Sequence, residues 1–273
     1  MKIYVQTDIE GVAGFCFFEN RKNPNYEVIE HRRRMYRLLT NEVNAAVRAA
    51  FDAGADEVVV NDNHGTGYNI IFEELDPRCR IIHGRNCSGP HWLPLLDESF
   101  DAMVLVGMHA MGGTPCAITP HSLWVVNDGE IYLSEGSMAA AIAGDFNVPA
   151  VMVSGDDKIT AEISGKIPGI AVAEVKQSLS PYMACSMVPQ AACELIYEKV
   201  KAGIMNRKAI APYKIKGPVK LQLLDSADHC PPLEPCGKEA LADTINEAFM
   251  IYEKAMAWNT LGLELPDGFV FPN

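Results

Sequence analysis

Short apolar runs alternate with longer amphipathic segments along much of the chain. Residues 27–53 place apolar side chains about every 3.6 positions, which predicts a long helix that ends at Gly54. Short β-rich runs predict strands at residues 3–6, 58–60, 80–82, 102–106, 150–153, 170–175 and 219–224. Strands separated by helices predict an α/β fold with a mixed, mostly parallel sheet flanked by helices.

The second half of the chain adds a hairpin signal and a candidate boundary. Asn127-Asp128-Gly129 separates two β-rich runs, at 123–126 and 131–133, and Asp-Gly in this position predicts a β-hairpin. Further helices are predicted after Ser134 and at about 188–202 and 240–258. A polar segment with proline and glycine, residues 206–217, predicts a division between a catalytic α/β domain (1–210) and a smaller C-terminal α+β part (211–273).

Composition and charge narrow the class of protein. The 273 residues carry a formal net charge of −12, and an acidic surface repels phosphate backbones, so nucleic acid is not expected as a partner. No apolar run approaches the ~20 residues of a membrane span, and the first residues show no secretory signal pattern. These features predict a cytoplasmic protein without membrane contact. The eight irregularly spaced cysteines, with no Cys-x-x-Cys pair, predict free thiols rather than disulfides or a thiolate zinc site.

Ionisable residues follow three of the predicted strands at the point where each strand ends. Asp8 and Glu10 come directly after the first strand, His64 follows the second, and His109 follows the run at 102–106. Ligands bind at the carboxyl ends of the strands in open parallel sheets. We therefore expect these four side chains to converge at one edge of the sheet.

The residue types in this set suit zinc. Imidazole nitrogen and carboxylate oxygen both bind Zn²⁺ at ~2.0–2.2 Å, and a carboxylate such as Asp8 can bridge two ions. Glu135, at the start of a predicted helix, can supply a further carboxylate. Each residue alone also fits an ordinary structural role, as a turn, cap or core side chain, so the pattern leaves both interpretations open.

His121 could lie beside such a site, or it could be a histidine at the edge of a strand. It follows a loop rich in glycine and proline after His109, and imidazole is a common general base. Residues 155–158 (Gly-Asp-Asp-Lys) could shape the pocket or cap a helix. The sequence contains no Gly-x-Gly-x-x-Gly phosphate loop and no Gly-x-Ser-x-Gly nucleophile elbow. The remaining histidines are interpreted as structural: His31, His83, His91 and His229.

Several short motifs occur together and in order. They are Asp-x-Glu-Gly (8–11), Val-Asn-Asp-x-His (60–64), Gly-x-His (107–109), Thr-Pro (114–115), His121, Glu-Gly (135–136), Gly-Asp-Asp-Lys (155–158) and Val-Lys-Gln-x-x-Ser (175–180). In this combination the chain resembles the D-aminopeptidase family of zinc peptidases over about residues 1–210.

The resemblance implies a set of roles for these residues. Two zinc ions per subunit are expected, with Asp8 as the bridge, Glu10 and His64 completing one site, and His109 and Glu135 completing the other. His121 is implied as the catalytic histidine.

The resemblance also implies an activity and an assembly. The expected function is hydrolysis of the N-terminal residue of short peptides, some containing D-amino acids, by water activated between two metals. The expected assembly is a homo-oligomer, a decameric ring whose channel admits short peptides. Two alternatives stay open at this point: a two-metal hydrolase of another amide or ester, and a non-catalytic peptide-binding protein.

Overall fold

A seven-stranded, mostly parallel sheet forms the centre of the computed structural model, which describes residues 1–17, 26–84, 92–225 and 232–256. The strand order is β3-β2-β1-β4-β7-β8-β9, and β9 alone runs antiparallel to its neighbour. The strands are β1 (Lys2–Thr7), β2 (Glu57–Asp62), β3 (Arg80–Ile82), β4 (Ala102–Met108), β7 (Ala150–Asp156), β8 (Ala171–Ser180) and β9 (Met183–Ser186). The fold class predicted from the sequence is confirmed.

Helices cover both faces of this sheet. Those that contact its strands are α1 (Tyr26–Asp52), α2 (Glu135–Asp145), α3 (Asp157–Lys166) and α4 (Pro189–Met205), whereas α5 (Ile245–Met256) packs on the second sheet, described below. Helix α1 packs against α4, while α2 packs against α3 and α5. Every residue of β4 and β7 is buried, as is required of central strands with cover on both sides. The long helix and the Ala-rich helix after Ser134 agree with the predictions.

A second, four-stranded antiparallel sheet has the order β11-β10-β5-β6. The predicted hairpin forms β5 (Leu123–Val126) and β6 (Ile131–Leu133), and it pairs through β5 with β10 (Val219–Asp225). Strand β11 (Glu234–Ala242) completes the sheet. The division at residue 210 stays a prediction. The hairpin, which precedes residue 210, and the strands that follow it share one sheet.

Four elements differ from the sequence predictions: α5, β11, β9 and α3. The helix expected from 240 begins at Ile245, because residues 240–242 belong to β11. Proline and glycine in Glu234–Ala242 disfavour a strand on propensity, yet pairing with β10 provides the hydrogen bonds. Strand β9 and helix α3 were also not predicted, and α3 begins after the Asp156 cap.

The structure also bears on the predictions about membrane spans and cysteines. Within the described ranges, no helix is long and apolar enough to cross a bilayer. Six cysteines of the described part are free thiols, at positions 16, 79, 116, 185, 193 and 236, and Cys87 and Cys230 lie outside the described residues.

The strand order places the candidate site. Strands β2, β1, β4 and β7 are consecutive neighbours, all parallel, so their carboxyl ends lie side by side. The segments that follow β2, β1 and β4 carry His64, the Asp8–Glu10 pair and His109. Their convergence is therefore a consequence of the topology.

Candidate metal centre

The loop after β1 lies directly against the end of β4. The Asp8 amide donates to the Val106 carbonyl at 2.9 Å, and the Gly11 amide donates to the Gly107 carbonyl at 2.8 Å. A Cβ on Gly11 would sit 2.0 Å from the Met108 carbonyl oxygen, so only glycine permits this approach. The close contact brings the side chains before Gly11 to the strand end that carries His109.

Asp8, Glu10 and His109 form the first group of potential ligands. One ligand atom from each lies within 4.8 Å of the other two, and all three residues are buried. Asp8 Oδ2 is 3.5 Å from His109 Nε2. Three buried atoms of this group have no hydrogen-bond partner: Asp8 Oδ2, Glu10 Oε2 and His109 Nε2. Buried polar atoms are normally paired, so atoms directed at one another in this way fit a bound cation.

His109 also belongs to a second group, with His121 and Glu135, whose ligand atoms lie within 4.8 Å of one another. Glu135 Oε1 is 3.8 Å from His109 Nε2 and 3.9 Å from His121 Nε2. The two imidazole rings are stacked, with centroids 4.0 Å apart and planes at 13°. Glu135 begins helix α2, where the helix dipole favours a negative charge.

Backbone carbonyls set the orientation of both rings. His109 Nδ1 lies 2.7 Å from the Ala110 carbonyl oxygen, and His121 Nδ1 lies 2.8 Å from the Thr119 carbonyl oxygen. A carbonyl accepts but cannot donate, so Nδ1 carries the hydrogen in each neutral ring. In this tautomer Nε2 is the atom that can bind a metal or accept a proton when the ring is neutral.

His64 reaches this cluster through Glu10. Its Nε2 is 3.0 Å from Glu10 Oε1, and its Nδ1 is 3.1 Å from Asn69 Oδ1. Asn69 is fixed in turn by Asp62, which accepts from its amide and side-chain nitrogens at 2.7 Å each. Asp62 and Asn69 therefore hold the His64 ring in place from the side opposite Glu10.

Crowding of carboxylates dominates the electrostatics. Burial and the negative charge of Glu10 raise the pKa of Asp8 well above its ordinary value. Burial acts against ionisation of Glu10 as well, but the charge and hydrogen bond of His64 hold its pKa well below the ordinary value. Burial likewise opposes ionisation of Glu135, yet contact with His109 lowers its pKa to about 2. The site therefore concentrates negative charge that a cation would balance.

The pKa values of the two stacked histidines are shifted in opposite directions. Burial alone would lower the pKa of His109, but the neighbouring carboxylates of Glu135 and Asp8 hold it well above its ordinary value. Burial and the adjacent charge of His109 lower the pKa of His121. The lowered pKa favours the neutral form of His121, whose Nε2 lies 3.9 Å from Glu135 Oε1.

Strand β8 supports the loops that carry these residues. The Lys176 ammonium is buried and donates to the carbonyl oxygens of Glu10, Val12 (3.0 Å) and Phe15 (2.8 Å). Burial lowers the pKa of Lys176 to about 8. Two residues along the strand, Ser178 donates to Asp156 Oδ2 at 2.6 Å.

Asp156 connects β8 to the segment that carries His121. It caps helix α3, accepting from the Lys158 and Ile159 amides at 3.1 and 2.9 Å. Its other oxygen is 3.4 Å from the Ile118 amide. Of the two interpretations of residues 155–158, the helix cap is therefore the one observed, and the same side chain also supports the loop before His121.

The structure places all six predicted site residues in one connected cluster: Asp8, Glu10, His64, His109, His121 and Glu135. Of the supporting residues, Asn69 was not singled out from the sequence. Lys176 lies in a motif of the family resemblance, but no role in the site was predicted for it, and Asp156 was expected either to shape the pocket or to cap a helix. Ser122, which hydrogen-bonds to Glu135, was also missed. Its position next to His121 was the one available signal.

The other histidines have different surroundings. His31 lies 5.0 Å from the Phe17 ring, between centroids, and His83 stacks on Phe72 at 5.5 Å. His91 and His229 lie outside the described residues.

The chain is similar to proteins of known activity over most of its length. Residues 1–230 match the peptidase family M55, described as D-aminopeptidase. A D-aminopeptidase of Bacillus subtilis (strain 168) is 32% identical over 221 residues, which cover 78% of this chain and 77% of the relative. The solved structure of the Zn-dependent D-aminopeptidase DppA from Bacillus subtilis, described as a self-compartmentalizing protease, superposes with a TM-score of 0.78. It is 25% identical, and the match covers 95% of this chain and 99% of that one.

Proposed function

The chain belongs to the D-aminopeptidase family of peptidases, and from that premise we propose that it is a zinc-dependent aminopeptidase. Its substrates would be short peptides, including those with an N-terminal D-residue. The observation that carries the proposal is that Asp8, Glu10 and His109 each have a buried atom without a hydrogen-bond partner and each offer a ligand atom within 4.8 Å of the other two. Nitrogen and oxygen donors in this combination suit zinc.

We assign two zinc ions to each chain. The residues that would hold them are Asp8, Glu10, His64, His109 and Glu135. Two groups of potential ligand atoms, one with Asp8 and Glu10 and one with His121 and Glu135, share His109, so donors sufficient for neighbouring ions lie close together. Bound zinc supplies Lewis acidity and lowers the pKa of water to about 7, which provides a nucleophile at neutral pH.

His121 is the residue we assign to proton transfer. Its Nδ1–H is held by the Thr119 carbonyl, which leaves Nε2 to accept a proton from water and then deliver it to the departing amine. The lowered pKa keeps Nε2 unprotonated before the reaction. Glu135 lies beside it, with Oε1 3.9 Å from His121 Nε2.

Release of free amino acid from matched D- and L-alanyl di- and tripeptides tests the activity. Zinc-loaded protein is compared with protein treated with a chelator and with the same protein reloaded. The proposal predicts release that is lost on chelation and restored by zinc, with the D series at least as fast as the L series. Zinc-bound protein that releases nothing from either series would contradict the aminopeptidase assignment.

We also propose that the chain acts as a homo-oligomer, a decameric ring that limits access to short peptides. The proposal rests on the likeness to the self-compartmentalizing relative. Light scattering behind size exclusion should give a mass of about 300 kDa for ten chains of 29.9 kDa. A mass of one or two chains at micromolar concentration would contradict it. A cytoplasmic location stays a prediction.

A further inference from the structure

Lys176 is a buried cation whose contacts are concentrated on one short segment. Its side chain is 2% exposed, and an ammonium has three hydrogens to donate. Three carbonyl oxygens accept from it, those of Glu10, Val12 and Phe15. All three hydrogens of the ammonium are therefore donated to carbonyl oxygens of one six-residue segment, residues 10–15.

The peptide group after Glu10 is held at both ends. Its carbonyl oxygen accepts from Lys176, and its N–H, which belongs to Gly11, donates to the Gly107 carbonyl at 2.8 Å. A peptide unit is planar, so fixing both groups fixes its orientation. The Cα of Glu10 is part of that plane, so the point from which its side chain starts is fixed as well.

The surrounding charges suit an ammonium at this place. Asp156 and Glu42 both act on Lys176 as negative charges. Glu42 is itself buried, and its Oε1 accepts from the Ala13 amide at 2.9 Å, within the same segment. Burying a charge is costly, and two features offset part of that cost for Lys176: its three hydrogens are accepted by carbonyl oxygens, and the charges of Asp156 and Glu42 oppose the loss of its proton.

We propose that Lys176 is a positioning residue that sets the place of the Glu10 carboxylate in the zinc site. It touches the backbone of Glu10 and leaves the carboxylate to the metal and to His64. The inference rests on the proposed function, because it concerns the residue assigned to one of the two zinc ions. Lys176 acts on zinc through Glu10 and on no reacting atom.

A double-mutant cycle on zinc affinity tests the assignment. Affinity is measured by competition with a chromophoric zinc chelator for the wild type, Lys176→Met, Glu10→Ala and the double variant. We expect Lys176→Met to weaken zinc binding about 10- to 100-fold in the wild-type background, as loss of a residue that supports a ligand does. In the Glu10→Ala background the same change should have almost no further effect, because the ligand that it positions is gone.

Two further variants separate positioning from general stability. Lys176→Arg keeps a cation with several donors and should retain more zinc affinity than Lys176→Met. Lys214→Met removes an exposed lysine that donates to Asn147 Oδ1 at 2.7 Å, and it should match the wild type. Circular dichroism and thermal unfolding of the zinc-free proteins show whether each variant folds.

The outcomes separate this inference from the proposed function. Wild-type zinc affinity in Lys176→Met, or equal losses in both backgrounds, would overturn the positioning role. Lys176→Gln is added as a third substitution at this position. If zinc binding is lost only in those Lys176 variants that also fail to fold, the positioning role is overturned as well. Wild-type protein that binds zinc but hydrolyses no peptide would contradict the proposed function and leave the zinc cycle interpretable.

Discussion

Replacing Gly11 with alanine perturbs the closest backbone approach in the site. The new methyl carbon would lie 2.0 Å from the Met108 carbonyl oxygen and 2.4 Å from the Gly107 carbonyl carbon. Both neighbours are backbone atoms of strand β4, so no side chain can rotate to make room. Gly11 does not have a positive φ, so the effect of the substitution is steric.

The size of the expected effect follows from that distance. An ordinary contact requires a carbon–oxygen separation of over 3 Å, so the loop must move away from β4 by about 1 Å. Metal–ligand distances vary by only about 0.2 Å in functional sites. A displacement of about 1 Å can therefore lower the rate ~100-fold. Overpacking of this kind also destabilises the fold by about 1–3 kcal/mol. We therefore expect Gly11→Ala to lower kcat/KM at least ~100-fold and to lose tightly bound zinc.

Gly165→Ala is the matched control. Gly165 is exposed near the end of helix α3, and a Cβ there meets nothing within 4 Å. Alanine in place of a helical glycine should raise the free energy of unfolding by about 0.5–1 kcal/mol. Zinc content and peptide turnover are measured for both variants beside urea unfolding. The steric argument fails if Gly11→Ala keeps its zinc and turns over peptide within about threefold of the wild type.

Three other perturbations give distinct results. His121→Ala should keep zinc affinity near the wild-type value and lower kcat ~100-fold or more; full turnover would remove His121 from the proton-transfer role. Asn69→Ala removes the hydrogen-bond partner of His64 Nδ1 and should weaken zinc binding about 10- to 100-fold, and unchanged affinity would count against that support. Burial raises the pKa of Glu253 to about 7, so the native state holds its proton where the unfolded chain has lost it. Stability should therefore fall as pH rises from about 4.5 to about 7, and Glu253→Gln, compared by urea unfolding at pH 5 and pH 8, should remove up to about 3 kcal/mol of that loss. Parallel pH profiles for the two proteins would contradict the shift.

The central sheet could be predicted from the sequence because its signals are local. Apolar runs such as 102–106 mark strands buried on both faces, and a period of about 3.6 marks α1. Asp8, Glu10 and His109 lie at or just beyond strand ends, so the topological rule for parallel sheets was sufficient to bring them together. That rule needs only the position of each residue relative to its own strand.

The supporting residues lacked such a signal. Lys176 lies inside β8, where alternation of polar and apolar residues is equally typical of a solvent-exposed lysine. Its partner Glu10 is 166 residues away, and no local pattern encodes that contact. Strand β11 contains proline, glycine and charged residues, so only its pairing with β10 reveals it. Contacts of this kind depend on the assembled fold rather than on any short segment.

A zinc titration of the metal-free protein tests the central claim most directly. Release of D-alanine from D-alanyl-D-alanine is recorded after each addition, with protein-bound zinc measured on the same samples. The account predicts that activity rises with bound zinc and levels off at two ions per chain. Full activity in metal-free protein, or no activity with two zinc ions bound, would contradict it.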